Sequence, residues 1–239
     1  MRKFFAALLA CAVLAAALAG CGGSSGKGQD AEASGIKRSK VDSAEVQFTG
    51  PAGGDTIAVF DTSAGEIRAV LYPQYAPQAC ENFTGLAQQG FFNNTSFSKI
   101  LSGFCVEGGL SADGAASTIW GGSAFAPETT DALHHYSGAL CAAADGSGQC
   151  SSVFYFMQTL PESPDDELIG KITDAGYRSE VISTYQAAGG APYLDYTDTV
   201  FGQVYSGMDI VDNIAQTQAD SNGKPASDIL INSVTISTY

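Results

Sequence analysis

At 239 residues, with 11 basic against 25 acidic side chains and a formal charge of −14, the chain can build one domain with a sizeable core. The same balance argues against nucleic acid as a partner, because a phosphate backbone is bound by a basic face. There is no CxxC pair and no His/Cys ligand spacing, so no zinc site is expected.

Met1-Arg2-Lys3 and the apolar run from Phe4 to Ala19 have the basic start and short hydrophobic stretch of a signal peptide, too short for a membrane span. The run closes with Leu18-Ala19-Gly20-Cys21, which resembles a bacterial lipoprotein signal. That resemblance implies removal of residues 1–20, lipidation of Cys21, and an extracytoplasmic, lipid-anchored place on a bacterial cell membrane. Residues 21–46 are small and polar, apart from the basic cluster Lys37-Arg38-Ser39-Lys40, and predict a flexible tether to a domain over 47–239.

Residues 55–60 and 67–72 alternate in the strand manner around a polar turn and predict a hairpin. Pro73 and Pro77 interrupt that pattern. Residues 76–87 then take helical periodicity, with Pro77 in the first turn and Ala79, Phe83 and Leu86 as the buried stripe. The stretch from Phe97 to Gly109 reads as strand, turn and strand ending in paired glycines. Lys99 and Glu107 interrupt its apolar run, and a charge there is costly unless it is paired or faces a cleft. Trp120, in a glycine- and alanine-rich loop, is expected to pack against other residues. His134 and His135 are adjacent, so their side chains should diverge, and a loop position is the default. A buried strand follows at 153–158. The segment 161–192 is acidic at first and then helical through 178–186, and strand patterns return near 198–204 and 229–236. Of the later cysteines, Cys80, Cys105, Cys141 and Cys150, the sequence-local candidate for a disulfide is Cys141 with Cys150, a bond that an extracytoplasmic location permits.

The stretch 97–109 resembles the cyclophilin signature, Phe-His-Arg, four residues, then Phe-Met-x-Gln-Gly-Gly-Asp. Phe97, Lys99, Phe104, Glu107, Gly108 and Gly109 fall at its spacings, while Ser98, Lys99, Cys105, Glu107 and Leu110 depart from its chemistry. The likeness runs in order from Asp55 to Tyr239, through Ala76-Pro77, Glu81-Asn82-Phe83 and the segment 198–204. It implies a mainly β fold with α: a closed antiparallel eight-stranded barrel capped by two helices, with an acidic and helical insertion near 161–192. It also implies peptidyl-prolyl cis-trans isomerase activity by a monomer, without a cofactor, on proline-containing peptides or unfolded secreted proteins.

Position by position, the resemblance puts Lys99 in place of the arginine that donates toward the prolyl nitrogen, and Glu107 in place of a glutamine. Phe104, Cys105, Tyr155 and Leu194 match the cup for the proline ring. Ala143, Ala144, Val153, Tyr193 and Asp198 match the peptide groove. Ala144 stands for an asparagine, Val153 for a glutamine, Tyr193 for a tryptophan and Asp198 for a histidine. Lysine keeps the charge of arginine without its planar fork of donors. The expectation is therefore a weakened isomerase; the alternative is a binding module that keeps the cup and lacks useful catalysis.

Overall fold

The structure, a computed structural model, describes residues 35–161 and 163–239. The expected hairpin forms from β1 (Thr56–Thr62) and β2 (Gly65–Leu71), and the expected helix is α1 (Pro77–Gln88). Two short strands follow, β3 (Thr95–Ser96) and β4 (Lys99–Leu101), then β5 (Cys105–Gly108), β6 (Ala139–Ala144) and β7 (Cys150–Met157). After the insertion come β8 (Thr199–Ser206), α4 (Met208–Ala215) and β9 (Leu230–Thr238).

The nine strands make one antiparallel sheet in the order β3-β9-β1-β2-β8-β6-β7-β5-β4. Its first and last members, β3 and β4, are neighbours in the chain. Only Phe97 and Ser98 separate them: the Phe97 N–H donates to Ile229 beside β9, and the Ser98 N–H donates to Glu107 on β5. The sheet must therefore curl until its two edges almost meet. The closed eight-stranded barrel expected above is corrected to nine strands with no ladder between β3 and β4, because a two-residue link carries the chain across that gap.

Alternation along each strand sends side chains to two cores. The inner one is aromatic: Phe60, Phe154, Phe156 and Phe201 from the sheet meet Phe83 of α1, Phe92 beyond it, and Val211 and Ile214 of α4. The outer one holds Tyr72, Cys105, Cys141, Tyr155, Met157 and Val200. Trp120 packs edge-on against Phe125, as expected.

The insertion is helical as expected and carries two helices, which with α1 and α4 make four α-helices among the described residues. α2 (Asp166–Asp174) grows out of the acidic run itself: the Asp165 side chain accepts from the Leu168 N–H, and Asp166 and Glu167 occupy the first turn. Carboxylates there satisfy free N–H groups and favour the positive end of the helix dipole. α3 (Ser179–Ala188) follows, and Ile172, Val181 and Tyr185 pack with Tyr136 into a third, small core. No helix among the described residues is long and apolar enough to cross a membrane.

Two further expectations change. The described end of the predicted tether is held on the domain. Arg38 donates to both oxygens of buried Asp212 at 2.7 Å and also to Ser137 and the Thr159 carbonyl. Ser43 reaches Glu180, and Glu45 takes a bidentate bond from Arg178. A polar composition hid this strap because its contacts are ionic rather than apolar. The Cys141–Cys150 disulfide is corrected as well: Cys80, Cys105, Cys141 and Cys150 are all free thiols. Cys141 lies opposite Tyr155 and Cys150 opposite Ala144, five residues apart along β7 or about 15 Å, and the two belong to cores on opposite faces of the sheet.

Candidate functional site

The outer face carries a row of registered residues that crosses five strands. Lys99 on β4 is opposite Glu107 on β5, Glu107 opposite Tyr155 on β7, Tyr155 opposite Cys141 on β6, and Cys141 opposite Val200 on β8. The two charges that broke the apolar run are thus direct cross-strand partners at the end of this row. Their ammonium and carboxylate are 4.0 Å apart, with the lysine side chain 43% exposed and the glutamate 22%. Burial pushes the Glu107 carboxyl above its ordinary range, while Lys99 pulls it down. At that distance the pair is a loose ion contact rather than a hydrogen-bonded clamp.

A residue that sequence reading missed positions Lys99. The Ile100 N–H donates to the Gly223 carbonyl at 2.7 Å, which brings the loop before β9 against the lysine stem. A Cβ on Gly223 would come within 2.8 Å of Lys99 Cγ, and its φ of +83° is itself a conformation that favours glycine. The only signal in sequence is the turn composition Asp220-Ser221-Asn222-Gly223. It marks a turn without saying what the turn touches.

The second registered row, Leu101–Cys105–Met157, continues the same face. Cys105 is buried, and burial pushes its thiol up to about 12, so it serves as a small neutral side chain. Phe104 sits half-buried in the turn between β4 and β5, held by its N–H to Leu101 and by its carbonyl, which accepts from the Gln158 N–H. Its ring stacks on that of Tyr193, with centroids 6.5 Å apart and planes 13° from parallel. Tyr193, 59% exposed, and half-buried Leu194 belong to a short 3-10 turn, Pro192–Leu194. Phe104, Cys105, Tyr155 and Leu194 are all members of the outer apolar cluster.

Tyr155 and Asp198, two separate departures from the family pattern in sequence, are one coupled pair. The Tyr155 hydroxyl donates to Asp198 at 2.8 Å. Burial pushes the phenol well above its usual range, so it stays a neutral donor. A buried hydroxyl needs a partner, and Asp198 supplies it. The other Asp198 oxygen accepts from the Ala144 N–H at a long 3.4 Å. Ala143, Ala144 and Val153 are half-buried; Ala143 packs against the outer apolar cluster and Ala144 against the inner one, and none of the three has a side-chain hydrogen-bonding group.

The turn bearing Tyr193 and Leu194 has a buried anchor. Asp195 follows them directly, and its carboxylate bonds His134 Nδ1 at 2.9 Å, His135 Nδ1 at 2.8 Å, the His135 N–H at 2.9 Å and the Tyr185 hydroxyl at 2.8 Å. Burial would raise this carboxyl, but the bonds from His134 and His135 outweigh it and hold it down to about 2. The adjacent histidines lie outside the strands as expected. Their side chains do not diverge, however: both are buried and both turn to one carboxylate. Cys21 lies outside the described residues.

The sequence pattern described as cyclophilin type peptidyl-prolyl cis-trans isomerase/CLD matches residues 57–236. A protein of Staphylococcus aureus (strain COL) named "Putative peptidyl-prolyl cis-trans isomerase" is 30% identical over 184 residues, covering 77% of this chain and 92% of that one. One of the same name from Staphylococcus saprophyticus is 31% identical over 185 residues, covering 77% and 93%. Among solved structures, the Cryptosporidium parvum cyclophilin type peptidyl-prolyl cis-trans isomerase superposes with a TM-score of 0.61 at 21% identity, covering 77% of this chain and 99% of that chain. A second structure of that protein, obtained in the presence of the dipeptide Ala-Pro, gives 0.60 with the same coverage.

Proposed function

This chain belongs to the cyclophilin-type peptidyl-prolyl cis-trans isomerases, and on that premise we propose that it turns prolyl bonds slowly, on the outer face of its sheet, with Lys99 as the donor. The observation that carries the reading is the half-exposed Lys99 ammonium on the same sheet face as the apolar group of Phe104, Cys105, Tyr155 and Leu194. The uncatalysed barrier is ~18–20 kcal/mol because rotation breaks amide resonance. A catalyst for this step needs no nucleophile, metal or proton shuttle. It needs an apolar seat for the pyrrolidine ring and a donor that meets the prolyl nitrogen when its lone pair localises in the twisted state.

Phe104, Cys105, Tyr155 and Leu194 supply the seat, and Tyr193 stacked on Phe104 flanks it. Glu107 acts on the donor in two ways: it draws the ammonium toward β5, and it competes for the same hydrogens. Ala144 and Val153 leave the peptide backbone with fewer side-chain partners. Losing one preorganised donor typically costs ~2.7–4 kcal/mol of transition-state stabilisation, which sets the scale of the expected weakening. The Ala-Pro present with the Cryptosporidium parvum relative supports short Xaa-Pro segments as the substrate class. In this reading the protein works as a monomer on secreted proteins outside the cell, held to the membrane by lipid on Cys21.

The test is cis/trans exchange of an Ala-Pro peptide followed by NMR, using soluble protein that keeps the strap from residue 36 onward. Acceleration should fall at least tenfold in Lys99→Ala and rise several-fold in Lys99→Arg. Peptide shifts with no faster exchange in any variant would instead support the binding module, for which the loose, competing Lys99–Glu107 contact is the favouring observation.

A further inference from the structure

A cavity of about 440 Å³ opens on the side of the insertion, and its wall includes Asp131, His134, Tyr177, Arg178 and Tyr196. None of these residues belongs to the proline seat. The insertion supplies Tyr177 and Arg178 in the turn between α2 and α3, and the N-terminal strap holds two of the walls. Gln47 brackets the backbone of His134, accepting from its N–H at 2.7 Å and donating to its carbonyl at 2.9 Å, while Glu45 holds Arg178.

Three observations point to a ligand of one kind. His134 is 2% exposed, its Nδ1 is committed to Asp195, and its Nε2 is buried with no partner among the described residues. In the neutral imidazole with Nδ1–H donating to the carboxylate, Nε2 is left as an acceptor that needs a donor. Arg178 is paired with Glu45 by a bidentate bond and also donates to the Asp131 backbone carbonyl at 3.2 Å, while the Asp131 carboxylate accepts the Tyr196 hydroxyl and has no ion pair among the described residues. Three aromatic rings complete the enclosure, Tyr177 lying 6.0 Å from His134 and 6.3 Å from Tyr196. Tyr196 is placed there at a φ of +67°, a conformation in which a bulky side chain is a genuine outlier and which tends to mark functional sites.

We propose that this cavity binds a primary ammonium group on an aliphatic chain, as carried by a lysine side chain or a small amine. The ammonium donates to His134 Nε2 and to Asp131, while the tyrosine faces offer cation–π attraction and the methylenes lie against Val181. An anion would face the unpaired Asp131 and would have to displace Glu45 from Arg178.

The experiment titrates n-butylammonium chloride into the full-length protein while following tyrosine-ring and imidazole resonances by NMR, with n-butanol as the uncharged control. Saturable shifts at Tyr177, Tyr196 and His134 are expected with the amine alone, at least fivefold weaker in Asp131→Asn and in Tyr196→Ala, and unchanged in Lys99→Ala. Equal response to n-butanol, absence of saturation, or indifference to both cavity variants would overturn the assignment. Nα-acetyl-lysine amide against its norleucine counterpart separates the sources: the same shifts with the lysine compound assign the site to side chains of proteins, and shifts confined to n-butylammonium assign it to free amines. The groove is read independently through Phe104 and Tyr193 with Ala-Pro, so failure here leaves the isomerase reading intact.

Discussion

The proposed seat for proline and the frame that carries it use charge in opposite ways. At the seat, Lys99 and Glu107 stand 4.0 Å apart and remain partly in solvent. In the frame, Arg38 grips buried Asp212 with two bonds of 2.7 Å, Gln158 adds a third, and buried Asp195 gathers two histidines and a tyrosine. An exposed pair contributes ~0–1 kcal/mol, whereas breaking a buried pair costs ~3–5 kcal/mol because the remaining charge has nowhere to go. The difference teaches that this chain holds its scaffold rigidly and leaves the Lys99–Glu107 contact loose. The groove can therefore tolerate altered chemistry without loss of fold.

Arg38→Ala tests the frame most severely. It leaves the Asp212 carboxylate buried with Gln158 as its remaining side-chain partner, and urea unfolding should show a loss of about 3 kcal/mol or more. A loss below about 1 kcal/mol would make the strap a surface decoration and collapse the contrast.

Asp195→Asn comes next. A carboxyl held down to about 2 in the folded protein contributes stability that is fully present above its unfolded value near 4 and is lost as pH falls through 2. The variant should therefore be less stable by about 2 kcal/mol at neutral pH. Its deficit against the parent should shrink in unfolding curves taken from pH 4 down to pH 2. Because Asp195 fixes the turn carrying Tyr193 and Leu194, Ala-Pro binding should weaken as well.

Within the groove the effects should be smaller. Tyr155→Phe removes one hydrogen bond to half-exposed Asp198 and should cost about 1 kcal/mol in thermal unfolding while leaving the apolar seat in place. Glu107→Gln should be the mildest and of opposite sign. Burial raises the Glu107 carboxyl, so its ionised form is a cost above the unfolded value near 4, and the neutral amide should gain under ~1 kcal/mol at pH 7. That gain should vanish as pH drops below 4, and release of Lys99 should speed prolyl exchange modestly. Slower exchange in Glu107→Gln would instead mark Glu107 as the group that positions the lysine.

Local pattern made much of the molecule legible. The alternation of 55–60 and 67–72 and the Pro77 start and Ala79-Phe83-Leu86 stripe of α1 became what their periodicities implied, because each is decided by neighbours within a few residues. The acidic run at 165–167 was harder to read, since carboxylates suit a solvated loop as well as a helix N-terminus. The strap and the histidines were not legible, because their partners are 60 to 174 residues away.

By itself, then, the sequence determined the β1–β2 hairpin and α1, and its resemblance placed the chain in its family with Lys99 at the position of an arginine. Those follow from residue type and spacing. Only the tertiary structure decided that Gly223 presses on the lysine stem, that Asp198 answers the hydroxyl of Tyr155, that four cysteines remain free thiols, and that Asp195 draws two histidines inward. Each of these depends on which distant groups a curled sheet brings within hydrogen-bonding or van der Waals reach. That is set by register and burial across the whole fold, and no local pattern encodes it.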